Sequence, residues 1–221
     1  MDDWLSYLLY EQIRCGLMAG LTLGFSLRTE GVGHVPKKGP VLLIANHQSY
    51  LDPALVAMAS RRHLCFLARK SLFRHRLVGW FLRHLNAVPL DREGVGIEGL
   101  RTALHQLQGG RAVVVFPEGH RSEDGALQPL KPGVQLLIKR VEAPIVPVGL
   151  AGTYDAWPRW SPLPVPAPLF WPAGTGTLAV SVGKPFLSRG LRDLPRERLL
   201  AVLFEELRKV HARAERIRRK P

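Results

Sequence analysis

The chain has 221 residues, enough for one ordinary domain with a sizeable core, and carries 31 Lys and Arg against 18 Asp and Glu, a formal charge of +13. A mean hydropathy of +0.01 is high for so basic a chain and points to an anionic, partly apolar partner: nucleic acid, a membrane surface or a phosphorylated substrate. The two cysteines, Cys15 and Cys65, each stand in an apolar run with no second ligand nearby, which excludes a zinc site or a disulfide framework and reads as buried reduced thiols.

The N-terminal stretch WLSYLLYEQIRCGLMAGLTLGFSL, residues 4–27, is the most lipid-like of the chain. Glu11 and Arg14 interrupt it, and the clean run from Cys15 to Leu27 falls short of the ~20 residues of a transmembrane helix. The opening Met-Asp-Asp is acidic where a secretory signal is basic, and no small-residue cleavage site follows. The pattern predicts one helix, or a helical pair, lying in the membrane interface with Trp4, Tyr7 and Tyr10 at headgroup depth. The competing reading is a core helix that caps the domain. Residues 1–27 are thus set apart from a second unit, residues 28–221.

From Gly31 onward the pattern is α/β. Apolar β-branched runs recur at PVLLIAN, AVPLD, RAVVVFPEG, APIVPVGL and GTLAVSVGKP, with helical patterns between most of them. Continuous apolar runs such as AVVVF mark strands buried on both faces, so the expectation is a mainly parallel, twisted sheet flanked by helices, preceded by the membrane-associated N-terminal helix. Residues 157–176, WPRWSPLPVPAPLFWPAGTG, hold too many prolines for a helix interior or a central strand. A final helix from about Pro195 to Arg219 carries Leu199, Leu203, Leu207 and Val210 on one stripe.

Active groups in an open parallel sheet gather beyond the carboxyl ends of its strands. His47 follows the run LLIAN, Glu118, Gly119 and Arg121 follow AVVVF, and Asp91 and Arg92 follow AVPL. An imidazole, carboxylates and guanidinium groups at three strand ends suit acid/base chemistry on an anionic substrate. A histidine that deprotonates an alcohol needs a carboxylate on its other nitrogen, and Asp52, five residues on, stands ready for that role; its alternative is a helix cap ahead of Pro53. No G-x-S-x-G elbow occurs and neither cysteine has a base nearby, so direct attack by a substrate hydroxyl on an activated acyl group is favoured over a covalent enzyme intermediate.

NHQSYLD at 46–52, FLARKSLFRHRLVGWFLRHLNAVPLDR at 66–92, FPEGHRS at 116–122 and APIVPVGL at 143–150, joined by LKPG at 130–133 and VGKP at 182–185, resemble in order and spacing the glycerolipid acyltransferase family, and within it the bacterial 1-acyl-sn-glycerol-3-phosphate acyltransferases. The resemblance runs from about Gly31 to Pro185. It implies that His47 is the catalytic base and Asp52 the carboxylate that orients it, and that Glu118, Gly119 and Arg121 bind the glycerophosphate, with Arg92, Lys70 and Lys131 as further basic contacts. It also implies an acyl thioester, of CoA or of acyl-carrier protein, as co-substrate, a lysophospholipid acceptor and no cofactor. His120 replaces the family's usual Thr, and Ser71 and Arg76 its usual Glu and Pro, departures that bear on the acceptor's head group.

Between Arg61 and Arg92, eight basic residues face one acid, Asp91, with Phe66, Phe73, Trp80 and Phe81 among them. Aromatics mixed with arginine suit an anionic membrane surface, and equally single-stranded nucleic acid. A nucleic-acid module leaves FPEGHRS and the apolar N-terminus unexplained, so the expectation is an enzyme on the cytoplasmic face of the membrane that binds no nucleic acid. Another lysolipid, such as a lyso-ornithine lipid, is the alternative acceptor.

Overall fold

A computed structural model describes residues 3–84, 86–90 and 97–221. In chain order the elements are α1 (Asp3–Phe25), β1 (Arg28–Glu30), β2 (Val41–Ala45), α2 (Asp52–Met58), β3 (Leu64–Arg69), α3 (Arg76–His84), β4 (Ala87–Leu90), α4 (Ile97–Gln108), β5 (Ala112–Val115), α5 (Gly133–Arg140), β6 (Pro144–Ala151), the single turn α6 (Thr153–Ala156), β7 (Ala179–Val182), β8 (Phe186–Leu187) and α7 (Arg196–Ile217). They build a sheet in the order β1-β7-β6-β2-β5-β3-β4, with β8 beside β6. Strands β2 to β6 run parallel, and β7 and β8 return antiparallel to β6. The mainly parallel, helix-flanked sheet expected from the apolar runs is therefore present.

Every residue of β2 is buried, because both faces of the sheet are covered. Val41, Leu43 and Ala45 face a core shared with α2, while Leu42 and Ile44 face a second core against α4, α5 and α7. The terminal helix meets the sheet with the predicted stripe, Leu199, Leu203, Leu207 and Val210, all buried. It crosses β6 at Gly149, where a side chain would run into the backbone of Val210. Residues 157–176 form no helix or strand, as their prolines dictate.

Three strands escaped the sequence reading. β1 and β8 are too short to show a period, and the run LCFLAR of β3 merges with the basic stretch that follows it. Two expectations about single residues are also corrected. Cys65 is buried in β3, but Cys15 is exposed, because the core-facing side of α1 runs through Tyr10, Leu17, Met18 and Leu21. Phe66, placed in sequence among the basic residues of an interface, is a core residue of β3.

Helix α1 lies against α2 and α3. Tyr10 and Leu21 are buried, whereas Trp4, Leu8, Cys15, Ala19 and Leu23 are exposed along the opposite side. Among the described residues no helix is long and apolar enough to cross a membrane.

Candidate active site

The site follows from register. β2 and β5 pair with Ile44 opposite Val115, so three residues further along each chain His47 and Glu118 arrive side by side. β2 also pairs with β6, and just past its end both ends of the Asn46 amide bond the backbone of Leu150, donating to its carbonyl at 3.0 Å and accepting its N–H at 2.8 Å. The amide acts as one more rung of the sheet and fixes where the chain leaves β2. The loop then turns into α2, which starts at Asp52 with Pro53 in its first turn.

Asp52 is fully buried, and one of its oxygens is crowded. Oδ2 lies 2.7 Å from His47 Nδ1 and accepts the N–H groups of Gln48 at 2.5 Å and Ser49 at 2.7 Å. The carboxylate therefore faces the imidazole and ties the loop before α2, and it does not cap the helix: α2 starts at Asp52 and has no side-chain cap bond. Its Oδ1 is buried with no hydrogen-bond partner among the described residues. The His47 ring stacks on Phe116, centroids 4.2 Å apart. Among the described residues nothing bonds its Nε2, and the side chain is 20% exposed, so one nitrogen faces Asp52 and the other is open to an incoming group.

Glu118 accepts backbone amides of its own and the neighbouring loop. It is fully buried, with Oε1 accepting the His47 N–H at 2.6 Å and Oε2 the Gln128 N–H at 2.9 Å. Each oxygen takes a backbone amide, so Glu118 braces the histidine's main chain. Burial pushes its carboxyl up to about 7, the two N–H bonds pull it back, and the charge of Asp52 adds to the rise. The Ser122 N–H donates to the His47 carbonyl at 2.8 Å, so His47 is held on both sides of its peptide by the loop after β5.

The remaining candidates divide. Gly119 has φ +78°, which favours glycine, and the Lys131 stem lies across it so that a Cβ would stand 3.1 Å from Cγ, a tight contact. Lys131 is itself exposed and donates its N–H to the Pro117 carbonyl at 2.7 Å. The Arg121 guanidinium carbon stands 3.7 Å from the centre of the Tyr50 ring, a cation–π contact, and its Nη1 is buried without a partner among the described residues. Lys70 is exposed at the carboxyl end of β3, with β5 between that strand and β2. Arg92 lies outside the described residues.

The geometry also removes rival nucleophiles. Ser49 Oγ donates to the Trp157 carbonyl at 2.6 Å, and burial pushes the Cys65 thiol up to about 11, far from a reactive thiolate. A cleft of about 700 Å³ lies elsewhere, at the far end of α2, lined by Glu11, Arg14, Met18, His34, Met58 and Arg61, and no residue of the His47 group borders it. Sequence reasoning missed Gln48, whose amide donates to the Gly125 carbonyl at 2.5 Å, accepts the Thr153 hydroxyl at 3.0 Å and faces His211 of α7 at 3.4 Å. Its place inside NHQSYLD was visible, but nothing in the sequence connects it to His211.

The profile of the family described as Acyltransferase matches residues 26–151, more than half the chain, with His47, Asp52, Glu118, Gly119, Arg121 and Lys131 among them. The chain belongs to the acyltransferase family. Relatives named 1-acyl-sn-glycerol-3-phosphate acyltransferase include one from Streptococcus pneumoniae, 31% identical over 113 residues, 50% of this chain and 41% of that protein. Another, from Bacillus subtilis, is 23% identical over 200 residues, 90% of this chain and 93% of that one. The chloroplast relative of Brassica napus is 30% identical over 135 residues, 60% of this chain but 39% of its own length. The chain thus spans about two fifths of the Brassica and Arabidopsis chloroplast relatives and of the streptococcal one. Among solved structures it is similar to the 1-acyl-sn-glycerophosphate acyltransferase PlsC of Thermotoga maritima, with TM-score 0.77 and 25% identity over 98% of this chain and 84% of that one. The matched residues include NHQSYLD, FPEGHRS and APIVPVGL, which stand on the neighbouring central strands β2, β5 and β6 and the loops that follow them.

Proposed function

We propose that the protein transfers an acyl group from a thioester of CoA or acyl-carrier protein to the free sn-2 hydroxyl of 1-acyl-sn-glycerol 3-phosphate, giving phosphatidic acid. The observation that carries this is the His47 ring, held at Nδ1 by the buried Asp52 at 2.7 Å and open at Nε2. His47 Nε2 takes the proton of the acceptor hydroxyl as its oxygen attacks the thioester carbonyl. The ester C–O bond forms, the C–S bond breaks, and the proton passes from the imidazolium to the departing thiolate. Asp52 keeps the ring in the tautomer with Nδ1 protonated and stabilises its charged form. No covalent enzyme intermediate is required, in keeping with the occupied Ser49 hydroxyl and the raised Cys65 thiol. No cofactor enters the reaction.

Arg121 is the group placed to grip the acceptor's phosphate. Among the described residues its Nη1 has no hydrogen-bond partner, and a guanidinium can hold a phosphate through two donors at once. Lys131 and Lys70 are exposed basic side chains at neighbouring strand ends, and the family resemblance adds Arg92, which lies outside the described residues. The acceptor has an acyl chain and resides in a bilayer, so the enzyme works at the cytoplasmic face of the membrane, attached without crossing it. Helix α1 supports this reading: it caps the core through Tyr10 and Leu21 and turns Trp4, Leu8 and Leu23 outward, and a helix apolar on both sides needs a second apolar neighbour.

The test offers purified protein in detergent a panel of lysolipids with one labelled acyl-CoA and identifies the products by mass. Phosphatidic acid as the main product, absent with His47→Ala, is expected. Acylation of a lyso-ornithine lipid or of a phosphodiester lysolipid in preference to lysophosphatidate would reassign the acceptor.

A further inference from the structure

The proline- and tryptophan-rich segment after α6 is irregular but not loose. The Leu169 N–H donates to the Leu23 carbonyl at 3.0 Å and the Ala167 N–H to that of Gly24 at 2.9 Å, so the segment is clipped to the last turn of α1. Ser26, in the left-handed region with φ +50°, donates its hydroxyl to the Ala167 carbonyl at 2.8 Å. From beneath, the Arg219 guanidinium donates to the carbonyls of Leu169 at 2.8 Å and Trp171 at 2.7 Å. Five hydrogen bonds from two ends of the chain hold this short stretch in place. What it displays is apolar: Leu169 is 46% exposed, Phe170 76% and Trp171 63%, next to Leu23 at 55%. A backbone fixed so firmly with its large side chains in water is built for a partner.

We propose that Leu23, Leu169, Phe170 and Trp171 form a second lipid-contact surface that enters the same leaflet as α1 and brings the membrane to the mouth of the active site. This rests on the membrane attachment proposed above. Lipid is the occupant favoured because the patch continues the outward stripe of α1 through Leu23 and because its aromatic rings suit headgroup depth. The other end of the segment reaches the chemistry. Trp157 takes the Ser49 hydroxyl on its carbonyl, and its ring lies 5.5 Å from that of Tyr50, the ring on which Arg121 rests. One continuous piece of chain therefore joins the bilayer surface to the proposed phosphate grip, and an acceptor moving along it keeps its chain in lipid while its head group reaches His47.

The experiment places an NBD fluorophore on Phe170→Cys in a Cys15→Ser background, which removes the exposed native thiol, and adds vesicles of phosphatidylethanolamine and phosphatidylglycerol. A blue shift on binding, quenched by brominated acyl chains, is expected. In the same assay F170S/W171S binds these vesicles about tenfold more weakly and loses turnover of vesicle-embedded lysophosphatidate, while turnover of a short-chain soluble acceptor is unchanged. A protein that binds vesicles fully but leaves the fluorophore unshifted overturns this inference and leaves attachment through α1 standing. A protein that binds no vesicles overturns both. A blue shift without lipid, accompanied by dimers in sedimentation, makes the occupant a second copy of the chain and overturns it as well.

Discussion

The loop that carries His47 and the segment that carries Trp171 are both irregular backbone pinned by hydrogen bonds from distant parts of the chain, yet they present opposite chemistry. Around His47 the polar groups are turned inward: Asp52 and Glu118 are fully buried, and between them they accept four main-chain N–H groups and face the imidazole. At Leu169–Trp171 the polar backbone is satisfied from below and the apolar side chains face out. Similar anchoring thus serves two ends. In the first region it holds a reactive ring against a carboxylate, and in the second it keeps greasy side chains from folding back into the core.

The sharpest way to separate the two regions is to remove the ring. His47→Ala should lower kcat by at least ~10²-fold on soluble and membrane-embedded acceptors alike, because the base is lost wherever the substrate lies. Circular dichroism and the thermal midpoint check that the fold survives. Activity within a few-fold of the unmodified enzyme would end the proposed mechanism.

Glu118 sets the next largest effect, and it is one of position. An amide at this place accepts one N–H but turns its NH2 toward the other, so Glu118→Gln leaves a buried donor facing either His47 or Gln128 and should cost about 2 kcal/mol of stability. Its pH dependence carries a sign. The folded carboxyl titrates at about 7 against an ordinary 4.5, so the folded state holds the proton more tightly, and this contribution to stability is present below pH 4.5 and lost as the pH rises to about 7. Denaturant midpoints measured across that window should fall with pH in the native protein. Glu118→Gln, which cannot titrate, should lack that part of the slope.

These two carboxylates show how far the sequence could be read. The parallel sheet, the terminal helix and the meeting of His47 with the loop after β5 were legible because apolar runs and strand ends are local patterns. The partner of His47 was legible for the same reason, since only a turn separates it from Asp52. What each oxygen of Glu118 bonds depends on the register of β2 against β5, a fact about two segments 71 residues apart, and no spacing encodes it. Gln48 and its neighbour His211 are more distant still, joined only once α7 has packed on β6. The clip between Ala167 and Gly24 was invisible for a further reason: it is made of backbone groups, which every residue but proline offers equally.

Arg121 sharpens the comparison from the substrate side. Arg121→Ala should raise KM for lysophosphatidate about tenfold while leaving KM for a lysolipid without a terminal phosphate near its native value, with kcat little changed on either. Tyr50 supports the guanidinium through its ring, so Tyr50→Phe keeps the aromatic surface and should preserve that selectivity. Equal losses on both acceptors after Arg121→Ala would assign the arginine to the fold of its loop.

The smallest effect is expected on α1, where one substitution placed on opposite faces separates core from membrane. Leu21 is buried against the body and Leu8 is exposed on the far side of the helix. Leu21→Ser puts a hydroxyl among apolar neighbours and should lower the thermal midpoint without altering vesicle affinity of the folded fraction. Leu8→Ser changes a residue that is 45% exposed and outside the core cluster and should alter the midpoint far less, but it takes one leucine out of the proposed lipid-facing stripe and should weaken vesicle binding about fivefold. High salt should weaken binding of both variants, because the basic surface is screened, but should not widen the gap between them, because burial of an apolar side chain is not an ionic effect. If Leu8→Ser bound vesicles as tightly as the native chain, the outward face of α1 would not be what lies in the membrane, and attachment would have to rest on the Leu169–Trp171 surface alone.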